Sequence, residues 1–142
     1  MLTTDVRYYD YANTDGFRSR GFRPDGSVAG VGWESIVSVA TGLQYEVNKN
    51  LFLRMGYTFN ENPIPDSQAF FNIGSPLYYQ HEIHVGGSYR LSKRVWLSLA
   101  YTYYFENDIS GPIVTPGGAV PGSNVTNQST VHIADIGITV RY

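Results

Sequence analysis

Val95-Trp-Leu-Ser-Leu-Ala-Tyr-Thr-Tyr-Tyr-Phe-Glu106 sets a bulky apolar side chain at every second position. In an extended chain Val95, Leu97, Leu99, Tyr101, Tyr103 and Phe105 share one face. Trp96, Ser98, Ala100, Thr102, Tyr104 and Glu106 share the other. No helical period competes with this alternation here or elsewhere in the chain. A strand that is apolar on one side and mixed on the other lies between two different environments.

The pattern recurs on both sides of this stretch. Leu51, Leu53, Met55, Tyr57 and Phe59 alternate against Phe52, Arg54, Gly56, Thr58 and Asn60. Ile83, Val85, Tyr89 and Leu91 alternate against Glu82, His84, Gly86, Ser88 and Arg90, and Ala134, Ile136, Ile138, Val140 and Tyr142 against Asp135, Gly137, Thr139 and Arg141. Less regular runs cover residues 2–9 and 33–47. The periodicity therefore predicts an all-β chain of about six antiparallel strands. Asn48-Lys49-Asn50 and Ser92-Lys93-Arg94 read as tight hairpin turns, with Asn in the left-handed conformation. Their register places Val47 opposite Leu51, Leu91 opposite Val95, Gln44 beside Arg54 and Glu82 beside Tyr104. The other connections, 11–32, 61–80 and 107–128, are long and rich in Gly, Pro, Asn and Ser.

Short turns at one end and long loops at the other are the asymmetry of transmembrane β-barrels, periplasmic against extracellular. The apolar faces carry no charge, whereas Arg54, Glu82, His84, Arg90, Asp135 and Arg141 lie opposite them. Tyr57, Phe59, Tyr89, Tyr101, Tyr103 and Phe105 gather toward strand ends, as interfacial girdles do. The mean hydropathy of −0.22 is no obstacle, because a spanning strand needs only about 9–11 residues with alternate ones apolar. The alternative is a soluble β-barrel or sandwich that binds a small apolar ligand in its core. The composition, with 12 Tyr, 7 Phe and 15 Gly, favours strands over helices. A net charge of −2 offers nothing to nucleic acid, and without cysteine there is no disulfide framework or thiolate metal site.

One part of the chain carries a more specific signal. "LTTDVRYYDYANTDGF" is followed by "VGWESIVSVATGLQYEVNKNLFLRMGYTFNENPIP", with Gly32-Trp33, Gly42 to Tyr45, Leu53 to Tyr57 and Asn62 to Pro65 in that order. "HEIHVGGSYRLSKRVWLSLAYTYYFEND" follows. The ensemble resembles the FadL/TodX family of outer-membrane transport proteins across essentially the whole chain. The resemblance implies a barrel of about fourteen strands plugged by a hatch, passing long-chain fatty acids or aromatic hydrocarbons by passive diffusion. Residues 1–142 would then be the C-terminal part of one outer-membrane β-barrel domain, with an N-terminus further upstream. The expected localisation is the bacterial outer membrane as a multi-pass barrel. Lipid and lipopolysaccharide would surround it, and the assembly machinery would read the terminal strand with Gly137 and Tyr142.

Candidate ligand-binding residues fall in two groups. Phe70, Phe71, Leu77 and Tyr78 put an apolar cluster in a long loop, suited either to receiving a greasy ligand or to packing the loop on the rim. Arg54, Glu82, His84, Arg90, Trp96 and Tyr104 face the interior, where they would orient a head group or form a structural network. Arg18, Arg20 and Arg23 in the first long loop either belong to an ordinary solvated loop or meet phosphate or carboxylate. No G-x-S-x-G elbow, phosphate loop or H-E-x-x-H motif points to an enzyme. His81, His84 and His132 are too dispersed for a metal, and no cofactor is expected.

Overall fold

The computed structural model describes residues 1–74 and 78–142. The strands are β1 (Leu2–Tyr9), β2 (Ile36–Asn48), β3 (Leu51–Asn60), β4 (His81–Arg90), β5 (Val95–Gly111), β6 (Val114–Thr115), β7 (Gly118–Ala119) and β8 (Val125–Val140). Among the described residues β1-β2-β3-β4-β5-β8 form one antiparallel sheet in that order, and β6 and β7 form a small ribbon in the last connection. Each main strand therefore pairs with its sequence neighbours, the meander expected of a barrel wall.

The register fixes what each face carries. Leu43 pairs Met55, Met55 pairs Val85, Val85 pairs Tyr101 and Tyr101 pairs Ala134; one row toward the turns, Leu53, Gly87, Leu99 and Ile136 line up. Between the turns and the bulge of β5, every Asp, Glu, Lys and Arg of the ladder falls on the opposite side; beyond the bulge Asp108 pairs with Gln128 on the side of the apolar face. Toward the loops the apolar face ends in Tyr57, Phe59, Tyr101, Tyr103 and Phe105, with His81 and His132 among them. Tyr57 Oη lies 2.6 Å from His81 Nδ1, and Tyr101 Oη lies 2.6 Å from His132 Nδ1. Toward the turns it ends in Tyr45, Tyr89 and Tyr142, all exposed.

The hydrophobic core is in the loops. Trp33, Ile64, Ala69, Tyr78 and Ile109 form a buried cluster, with Tyr11, Phe17 and Val31 packed against it. Asn72, fully buried, holds it together: its Oδ1 accepts from Trp33 Nε1 at 2.7 Å, and its Nδ2 donates to the carbonyls of Val31 and Gln68. The 3-10 helix Asp66–Asn72 presents this residue, and β5 and β8 flank the helix.

Four local expectations need correction. The strand predicted from Trp33 begins at Ile36, because Gly32 takes φ of 69°, outside the strand region, and turns Trp33 into the loop core. Asn48, not Val47, pairs with Leu51, since a bulge between Glu46 and Asn48 absorbs one residue. No non-glycine residue has positive φ among the described residues; Asn48 shapes its turn instead by accepting the Asn50 amide on Oδ1 at 2.9 Å. The last long loop is only 112–124. A bulge between Tyr104 and Asn107 flips the side-chain parity of β5 there and hides the strand's continuation from a strict alternation rule.

Candidate functional site

Two hydrogen-bonded groups occupy the polar face. In the first, Arg54 donates from Nε to Gln44 Oε1 at 2.7 Å and from Nη1 to Ser88 Oγ at 2.8 Å, and Ser88 lies 2.8 Å from Ser98. In the second, His84 joins three strands, with Nε2 3.1 Å from Thr58 Oγ1 and Nδ1 3.0 Å from Thr102 Oγ1. Glu82 lies 3.5 Å from His84 and accepts from Asn60 Nδ2 at 2.7 Å. Direct strand pairing creates these partners: Gln44 opposes Arg54, and His84 opposes Thr102.

Between the two groups the wall is stripped to backbone. Gly42, Gly56, Gly86 and Ala100 floor a concavity of about 530 Å³, bordered by Thr3, Arg54, Thr58 and His84. A Cβ at Gly86 would come within 2.8 Å of the Leu99 carbonyl oxygen, so the close approach of β4 and β5 requires glycine there. Nearer the turns a second hollow of about 290 Å³ is lined by Phe52, Arg54, Ser88, Trp96, Ser98, Thr139 and Arg141. The Phe52 and Trp96 rings pack at 5.6 Å.

The candidates read from sequence are thus divided. Arg54, His84 and Trp96 line the hollows, and Glu82 stands beside His84. Arg90 sits 5.8 Å over the Trp96 ring but directs its donors to the turn carbonyls of Ser92 and Lys93. Tyr104 opposes Glu82 and packs on Tyr79. Phe70 and Phe71 lie half-buried in the 3-10 helix, Phe71 against Phe22 of the first loop. Tyr78 is buried in the loop core, where desolvation raises its phenol above the ordinary tyrosine range. Leu77 lies outside the described residues. The loop arginines are engaged within their own loop: Arg18 with Asp15, Arg20 with Glu34, and Arg23 with Ser27 and the carbonyls of Val28 and Ala29. Ser88, Ser98, Thr58 and Thr102 were not singled out from sequence. The pairing register was the signal that pointed to them.

A two-faced meander with tight turns, long loops and a charge-free band is the wall of a membrane barrel. The profile of the family described as outer membrane protein transport protein (OMPP1/FadL/TodX) matches residues 1–142, the entire chain. The chain belongs to that family. No curated protein matches it. The family is one of outer-membrane transport proteins, transporters rather than enzymes. Among the described residues no helix is long and apolar enough to cross a membrane. No group of His, Asp and Glu among them has the spacing of a metal site.

Proposed function

We propose that the six strands form part of the wall of a larger barrel through which hydrophobic compounds, long-chain fatty acids or aromatic hydrocarbons, cross the outer membrane by passive diffusion. The observation that carries this reading is the division of one sheet into a charge-free outer face and a lumenal face with hollows beside Arg54, His84 and Trp96. The edges of β1 and β8 need partners in hydrocarbon, where each unsatisfied backbone group costs several kcal/mol. Further strands must therefore close the barrel, which makes residues 1–142 one portion of a single barrel domain. In this reading Phe70, Phe71 and Tyr78 belong to the extracellular cap that meets the ligand. Arg54, Glu82, His84, Arg90, Trp96 and Tyr104 line its path. The assembly machinery would engage the terminal strand β8.

The test is uptake by intact cells whose own route for hydrophobic compounds has been deleted. Expression of the complete barrel that contains these strands should restore entry of labelled long-chain fatty acid or toluene in proportion to external concentration, unaffected by a protonophore. Uptake that collapses with the protonophore would refute passive diffusion, and no uptake of either compound would refute the transport reading.

A further inference from the structure

Toward the turns the polar face changes chemistry. The hollow of about 290 Å³ has Phe52 and Trp96 as its apolar wall, with Arg54 and Arg141 as its charges among serine and threonine hydroxyls. Among the described residues no Leu, Ile, Val or Met lines it. The larger hollow beside it is floored by glycine and alanine and carries no aromatic ring. The smaller one therefore suits a flat ligand with a polar edge better than a plain hydrocarbon.

Its two guanidiniums have no counter-ion among the described residues. Elsewhere arginine is matched by carboxylate: Arg7 with Asp5, Arg18 with Asp15 and Arg20 with Glu34. Arg54 instead has neutral partners. Gln44 accepts from its Nε and Ser88 from its Nη1, which fixes the plane of the group and leaves Nη2 without a protein acceptor. Arg141 donates its backbone amide to the Arg94 carbonyl, and its side chain forms no hydrogen bond or ion pair among the described residues. The carboxylates on this part of the polar face are Glu46, opposite Phe52, and Asp135, opposite Ala100. Neither lines the hollow, and neither lies within ion-pair distance of Arg54 or Arg141. A third cation, Arg90, lies 5.8 Å over the Trp96 ring. Like charges gathered around one hollow repel, and an anion held between two of them relieves that repulsion while accepting from both.

We infer that this hollow binds a small aromatic carboxylate, its carboxylate accepting from Arg54 Nη2 and the Arg141 guanidinium, its ring lying against Phe52 and Trp96. The site rests on the reading of the polar face as the lumen of a complete barrel. Guanidinium matches a carboxylate in plane as well as in charge. The Phe52 and Trp96 rings, 5.6 Å apart and tilted by 39°, offer a third ring both faces and edges, whereas an acyl chain would find no aliphatic side chain to lie on.

The experiment is equilibrium dialysis of labelled benzoate against the complete barrel that contains these strands, purified in neutral detergent. Toluene lacks the carboxylate and hexanoate lacks the ring. Each should compete at least about tenfold more weakly than benzoate itself, the scale of one hydrogen bond to a charged group. Arg141→Gln should weaken benzoate binding about tenfold, and Trp96→Leu should remove the preference over hexanoate. Arg7→Gln, at an arginine already paired with Asp5, should change neither. Heat-modifiable gel migration confirms that each variant is folded. Hexanoate that competes as well as benzoate, or full benzoate binding by Arg141→Gln, overturns the proposal. A barrel that carries toluene into cells but does not bind benzoate overturns this proposal alone. One that carries neither toluene nor fatty acid overturns the transport reading, so the two failures are distinguishable.

Discussion

Leu99→Arg separates a lipid-facing sheet from a solvent-facing one. On β5 the apolar face runs from Val95 at the turn to Phe105 at the loops, ten residue steps. At about 3.3 Å per step and a tilt near 40°, those steps span roughly 25 Å of depth, the height of the apolar band of an outer-membrane barrel. Leu99 lies four steps in, close to the midplane, and is 55% exposed, with Leu53 and Ile136 in the same row. A midplane arginine costs about 2–4 kcal/mol in a bilayer, whereas at the interface the cost falls to about 0–1. In water the same exposed position would tolerate arginine within roughly 0.5 kcal/mol. The assay is urea unfolding of the protein in lipid vesicles, followed by the fluorescence of Trp33 and Trp96, for Leu99→Arg and Val95→Arg in parallel. The expected result is a loss of about 2–4 kcal/mol for Leu99→Arg and of at most about 1 for Val95→Arg. Equal losses at the two depths would refute the placement of this face in lipid.

Other perturbations address the cap. Asn72→Ala strands the Trp33 indole N–H and two backbone carbonyls inside the loop core, at about 1–3 kcal/mol for each group left unpaired. Hydrogen exchange should accelerate in 61–74 while the central strands keep their protection. Gly111→Ala drives a Cβ into the Asp66 carbonyl oxygen, so limited proteolysis should cut the 61–80 loop sooner than in the unmodified protein. Burial raises the Tyr78 phenol, so the folded cap favours the protonated form. Its contribution is complete below the ordinary tyrosine pKa near 10 and is lost as pH rises above it. Exchange in the cap should therefore quicken at alkaline pH, and Tyr78→Phe should blunt that change.

The barrel wall was legible because period two leaves no freedom. Once Val95 to Phe105 is placed on one face, Leu91 must oppose Val95, and Glu82 must fall beside Tyr104. Leu91 does donate its amide to Val95, and Glu82 does pair with Tyr104. What the alternation could not carry were the breaks in it. Phe105-Glu106 looks like the end of a strand because the parity changes there, and only the ladder shows that the strand continues. Asn72 and Gly32 in a long polar stretch give no local sign that one ties a core and the other turns a tryptophan into it. Their roles come from contacts spanning tens of residues, such as Trp33 to Asn72. Among the site residues, Arg54 and its partner Gln44 were legible from the turn register. The diagonal pairing of Tyr57 with His81 was not, since it depends on side-chain reach across the pleat.

The bulge in β5 also sets an order of events. Beyond it, the residues that would have faced lipid point the other way: Ile109 enters the loop core and Asn107 donates to the Tyr78 carbonyl. From β8, Asn127 reaches back 58 residues to the Ala69 carbonyl. The roof is therefore latched by β5 and β8, which follow it in the chain. Until β5 and β8 have zipped past the bulge, the 61–80 segment has no floor to close on and remains accessible to proteases. Closure of the cap thus reports that β8 is in place, giving the cell a surface check on whether this part of the wall is complete.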